Sequence, residues 1–255
     1  MQRFPSPADR LTAVIAVAAT VLWVVLPPAS DRSEITLAGV GLLLVAFLVT
    51  EWWPLGLEFR GQAFHSTLSG LVEALGVVFV GPLATGVARV VSGGIALRFR
   101  WANPAEKLRF NAAAQALEVW LLATVYSWVS AGAPLLDSRT AVAIVAAMTA
   151  AEIISMLLVL AVIRLSVGQL RLDQLKPTLV AVVVTLAISA AAATVASRLV
   201  AAESITAIAF AGVLGLLIVT NRSRHALSQK HRSVASLYSF MEGIQGQTSV
   251  QHLLA

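Results

Sequence analysis

Not one cysteine occurs in the 255 residues. That excludes disulfides, thiolate metal sites and cysteine nucleophiles together. Charge is nearly as scarce. Asp, Glu, Lys and Arg make up 12% of the chain, against about a quarter in a soluble domain, so water cannot be the solvent around most of it. The four histidines, His65, His225, His231 and His252, are scattered without ligand spacing, and no metal or other cofactor is expected. Clustered His or Asp motifs, a nucleophile elbow and a phosphate loop are all missing, which leaves a membrane-embedded enzyme without a motif to stand on. No nucleic-acid partner is expected either.

What the chain has instead is apolar length. Hydrophobic residues make up 58% of it and the mean hydropathy is +0.84, which makes lipid the expected solvent. The fold class expected is all-α, a polytopic membrane helix bundle in a bacterial plasma membrane. Eight apolar runs can be marked: 11–26, 35–53, 68–80, 83–97, 110–129, 141–163, 179–196 and 205–219. The first, ahead of Pro27-Pro28, lacks a small-residue cleavage pattern and reads as a retained helix. The third and fourth are shorter than the ~20 residues a span needs and are split only by Gly81-Pro82. They are either two short helices meeting at a tight turn or one kinked span, giving eight spans or seven. With eight, fourteen Lys and Arg fall in the loops and termini on the cytoplasmic side and three, Arg32, Arg139 and Arg198, on the other. That positive-inside bias favours eight spans with both termini cytoplasmic. Dense small-residue runs such as Ser189-Ala190-Ala191-Ala192-Ala193 argue for closely packed helices.

Four charges lie well inside apolar runs, away from their ends: Glu73, Arg89, Glu118 and Glu152. Such groups cost several kcal/mol in lipid and normally face the bundle interior (about 3 on insertion scales). Counted from His65, Arg98 and Arg109 at ~1.5 Å per residue, the first three sit ~12–14 Å from the cytoplasmic edge, and Glu152 roughly 18 Å. Matched depth points to one cluster, with Arg89 paired to Glu73 or Glu118. Asn111, Gln115 and Glu118 follow i, i+4, i+7 spacing and line one face of the fifth run. Two readings fit these six residues. They are a polar joint that fixes helix packing, or a pocket for a small ligand or proton.

Between the fourth and fifth runs, the basic loop RFRWANPAEKLRFN carries an interfacial Trp101. Pro104 is placed to begin a helix, with Asn103 as its N-cap. The loop reads as a positive-inside connection or as a contact for a cytoplasmic output domain.

Three domains are expected: a membrane bundle over 1–220, a cytoplasmic transmission helix over 221–246, and the start of a further, truncated domain over 247–255. In the second, Leu227, Val234, Leu237, Met241 and Ile244 fall on a and d positions of a heptad, with Lys230 at one unsuitable d site. That pattern fits a parallel coiled-coil stalk in a homodimer. An amphipathic helix lying on anionic lipid, held by Arg222, Arg224, Lys230 and Arg232, fits it too.

The stretch HRSVASLYSFMEGIQGQTSVQHLLA resembles the junction in actinobacterial signalling proteins where a multi-span membrane module feeds a GAF-like domain. Two other stretches are similar to the membrane portion of that family. LEFRGQAFHSTLSGLVEALGVVFVGPLATGVARV matches a strand-like approach and a glycine-proline turn, and WANPAEKLRFNAAAQALE matches a loop that opens the next span. Residues 55–255 are covered, with Pro82, Pro104, Lys107, Phe110 and Asn111 as matched positions. The resemblance implies a chain that continues into GGDEF and often EAL domains, which make or degrade cyclic di-GMP. No GGDEF, EAL or HD signature occurs in these 255 residues, so such activity would belong to sequence beyond Ala255. The function expected is a sensory input module that couples a membrane or small-ligand stimulus to a cytoplasmic output. The alternative is a small-solute transporter or its substrate-binding membrane subunit, which short Gly/Pro-interrupted spans with buried carboxylates also fit.

Overall fold

A computed structural model describes residues 6–29, 36–59, 62–167 and 172–202, all within the first of the two units into which the chain divides, Met1–Ile208 and Ala209–Ala255. The eighth apolar run, the transmission-helix seam and the 247–255 segment lie outside the described residues. The described chain is helical: α1 (Pro7–Val25), α2 (Leu37–Trp52), α3 (Ser69–Phe79), α4 (Pro82–Ile95), α5 (Ala105–Ser130), α6 (Ser138–Val167) and α7 (Leu172–Ala202). An antiparallel hairpin, β1 (Leu55–Phe59) with β2 (Gln62–Ser66), joins α2 to α3, and so the chain departs from the all-α expectation in this one place. Its register runs from Leu55 opposite Ser66 to Phe59 opposite Gln62.

Three helical stretches, Pro7–Val25, Ser138–Ser166 and Val182–Ala202, are long and apolar enough to cross a membrane. Their surroundings agree. Val24, Val142 and Val183 are 75%, 60% and 62% exposed, side chains that water would penalise and lipid would not.

Several helix starts have a local cause. At α1, Ser6 Oγ accepts from Asp9 N while the Asp9 carboxylate takes the Ser6 N–H, a capping box with Pro7 at the first helical position. At α2, Thr36 caps Gly39 N. At α5 the expected cap is off by one residue. Pro104, extended at φ −68° and ψ 160°, is itself the N-cap, and Asn103 gives only its backbone N–H, to Leu97 O. The turn before it has Ala102 at φ 49° after a π-helical stretch at Ala96–Arg100, and no side chain caps α5.

Of the two arrangements left open at Gly81-Pro82, the chain takes the tight turn. Gly81 has φ 115° and ψ 158°, a region essentially confined to glycine, and Pro82 opens α4. The helices fold back on one another. A Cβ on Gly76 would lie 2.6 Å from Thr85 Oγ1, and Glu73 meets Arg89 further from the turn. At 11 and 14 residues they are about 16 and 21 Å long, short of a ~30 Å hydrocarbon core. Phe47, Leu43 and Ala88 form a buried core between α2 and α4, with Val72 and Val80 packed against it.

Two tryptophans tie α1 to α5. Trp23 Nε1 donates to Ala116 O at 3.0 Å, and Trp120 Nε1 donates to Leu26 O at 2.9 Å. Asp9 and Arg109 lie within electrostatic reach near the other ends, so α1 and α5 run in the same direction.

Candidate functional site

Arg89 is 7% exposed and every nitrogen of its guanidinium is engaged. Nε donates to Glu73 Oε1 at 2.5 Å, Nη1 donates to Glu51 Oε1, and Nη2 donates to Ser69 Oγ at 3.3 Å. The Phe47 ring lies 5.5 Å from the guanidinium carbon, within cation–π range. Three elements converge here, each offering a polar residue at the right turn. Glu51 comes from the last turn of α2, Ser69 and Glu73 from the first half of α3, and Arg89 from the middle of α4.

Around this clamp lie two more carboxyls, Glu118 on α5 and Glu152 on α6, each partly buried. Both fall within electrostatic reach of Glu73, and Glu118 also of Arg89 and Glu51. Neither makes a hydrogen bond or ion pair among the described residues. The site is thus one guanidinium with two carboxylates bound and two more nearby.

Of the six residues expected in the cluster, Glu73 and Arg89 are in direct contact, and Glu118 and Glu152 stand close by. Gln115 is 8% exposed and packs over Gly93 of α4, one turn beyond Arg89; a Cβ there would lie 2.5 Å from the Gln115 amide. Asn111 goes elsewhere: its amide donates back to Lys107 O on its own helix at 2.7 Å. Two buried oxygens, Glu73 Oε2 and Gln115 Oε1, have no hydrogen-bond partner. Among the described residues no group of His, Cys, Asp and Glu is arranged to hold a metal ion.

Sequence reasoning missed Glu51 and Ser69. Glu51 ends an apolar run beside Trp52-Trp53 and so reads as a boundary charge. Its position gave no signal. Glu51 precedes the run's last residue by only two positions, yet it is 9% exposed, because it packs against Arg89 of α4.

No family model matches the chain, and no curated protein or solved structure matches it.

Proposed function

We propose that the chain is a sensory or regulatory membrane input module, in which a membrane or small-ligand stimulus changes how the buried carboxyls share Arg89. The observation that carries the reading is the ratio itself: Glu51, Glu73 and Glu118, from α2, α3 and α5, lie within reach of one guanidinium on α4, and Glu152 of α6 lies within reach of Glu73 and Glu118. A single cation with more partners than it can bind has alternative pairings, and alternative pairings between helices are what a switching transition requires. Eight spans with both termini cytoplasmic fit the shared direction of α1 and α5, since the fold-back at Gly81 supplies the extra reversal. The output would be cyclic di-GMP turnover by a domain beyond these residues, relayed through a homodimeric helix carrying Leu227, Val234, Leu237, Met241 and Ile244.

The test is to express the gene with whatever coding sequence follows codon 255 and measure cellular cyclic di-GMP. Glu118→Gln and Arg89→Lys should shift the level at unchanged membrane abundance. A frame without an output domain, or levels indifferent to both substitutions, would sink the reading. The fold-back of α3 on α4 favours a second reading, a small-solute transporter, because broken helices beside buried charge also build substrate sites. Solute uptake into proteoliposomes carrying the purified chain would select it.

A further inference from the structure

Away from the Arg89 cluster, an open groove of about 1170 Å³ runs between α1 and α5. Ligand sites typically enclose ~300–1,000 Å³, so this recess is ample for a large amphiphile. Its walls are Ala13, Ala16 and Ala19 from α1 and Ala112, Ala113 and Ala116 from α5. Trp23 closes one end, pinned by its bond to Ala116 O. The other end is charged and carries Asp9, Glu106 and Arg109.

That end is built, not incidental. The capping box holds the Asp9 carboxylate in place, with Ser6 Oγ at 2.7 Å from Oδ2 and Ser6 N at 3.1 Å. Arg109 is exposed, within electrostatic reach of Asp9, and makes no hydrogen bond or ion pair among the described residues. Glu106, in the first turn of α5, is exposed as well. From Asp9 to Trp23 is fourteen residues of helix, about 21 Å. Half of a bilayer with its headgroups is also roughly 21 Å. Along α5 the lining from Glu106 to Ala116 covers about 15 Å, half of a ~30 Å hydrocarbon core, so the groove fits within one leaflet, with charge at one end and alanine along the rest.

We infer that this groove binds a bilayer phospholipid with a primary-amine headgroup. An acyl chain lies along the alanines up to Trp23, the phosphate meets Arg109, and the ammonium meets Asp9 and Glu106. The charge balance selects the headgroup. One guanidinium faces two carboxylates, so a purely anionic headgroup gains one partner and meets two repulsions. A quaternary ammonium carries the right charge but has no N–H to donate, whereas a primary ammonium has three donors for the carboxylates.

The experiment is native mass spectrometry of the purified full chain in detergent, with equimolar phosphatidylethanolamine, phosphatidylglycerol and phosphatidylcholine of matched chains. The ethanolamine lipid should be retained about tenfold over the others, the size of one charge-assisted hydrogen bond. Arg109→Gln and Asp9→Asn should each reduce that adduct by about tenfold and level the preference. Ala16→Phe should remove the adducts of all three lipids. Because Arg109 is exposed, its substitution reports even if the groove-filling variant fails to fold. Equal retention of the three lipids overturns the inference, as does an adduct that Arg109→Gln leaves unchanged. So does a dimer mass that replaces the adduct and disappears in Ala16→Phe, since a second copy would then cover the groove. The readout is lipid mass alone, so it stands or falls separately from the signalling role.

Discussion

Replacing Arg89 with leucine is the sharpest perturbation this molecule allows. The wild-type guanidinium satisfies Glu73, Glu51 and Ser69 at once, and the Glu73 side chain is 1% exposed against 11% for Glu51. Removing one partner of a buried ion pair costs about 3–5 kcal/mol, because the remaining charge is stranded where water cannot reach it. Here two carboxylates are stranded, which places Arg89→Leu toward the upper end. For a chain of this size each kcal/mol moves the melting temperature by about 2–4 °C, so the loss should fall between about 6 and 20 °C in detergent. The partners then predict an order of rescue. Glu73→Gln in the Arg89→Leu background should recover more than Glu51→Gln, since Glu73 is the more deeply buried. Both together should recover more than either. Arg89→Lys keeps the charge but cannot span three acceptors in a fixed fork, and should lie between wild type and leucine. Thermal melts followed by circular dichroism across this set decide the matter. A melting temperature for Arg89→Leu within about 2 °C of wild type would refute the reasoning, on the same scaling. So would a set of Glu→Gln additions none of which recovers stability.

Three further outcomes are expected. Gly81→Ala should destabilise the chain by about 1–3 kcal/mol, because the turn needs a backbone conformation that only glycine adopts freely; a melt unchanged by it would mean the turn has another geometry. Reporter fusions after Ser30 and after Ala255 should place Ser30 outside and Ala255 inside, and periplasmic activity at the second would overturn the orientation. In membranes, Val234→Cys, Leu237→Cys and Met241→Cys should crosslink between protomers well above Arg232→Cys, Ala235→Cys and Ser239→Cys; a flat profile would mean that the segment lies on lipid instead of forming a stalk.

Hydropathy was enough to locate the helices. Seven of the eight apolar runs coincide with α1 to α7 to within a few residues, because long apolar runs have few other folded forms in lipid. Direction was harder to read. The spacing of Asn111, Gln115 and Glu118 correctly places them on one face of α5, yet Asn111 bonds to its own helix and Gln115 packs on Gly93. Helical periodicity states which residues share a face and leaves open which neighbour that face meets. Glu51 illustrates the same limit. Its pairing with Arg89 spans 38 positions and depends on how α2 packs against α4, which no local pattern reports. The β1–β2 hairpin was named only as a strand-like resemblance, although Leu55, Leu57 and Phe59 alternate with Gly56, Glu58 and Arg60, because five residues are too short a run to decide the period.

α5 is long without being wholly apolar. At 26 residues it is about 39 Å long, more than a hydrocarbon core, yet it is absent from the three stretches apolar enough to cross a membrane. Asn111, Gln115 and Glu118 lower its hydropathy, and they can do so because α5 packs against α1, α4 and α6 and needs little lipid contact along that face. A helix surrounded by helices is freed from the apolar requirement that lipid imposes on its neighbours. The same helix presents Ala112, Ala113 and Ala116 to the α1 groove, while Gln115 packs against α4 and Glu118 lies in electrostatic reach of Arg89. Residues 116 and 118 are some 200° apart around an ideal helix. Groove and charge cluster therefore occupy different sides of one element, and a rotation of α5 that widened the first would change what the second offers to Arg89.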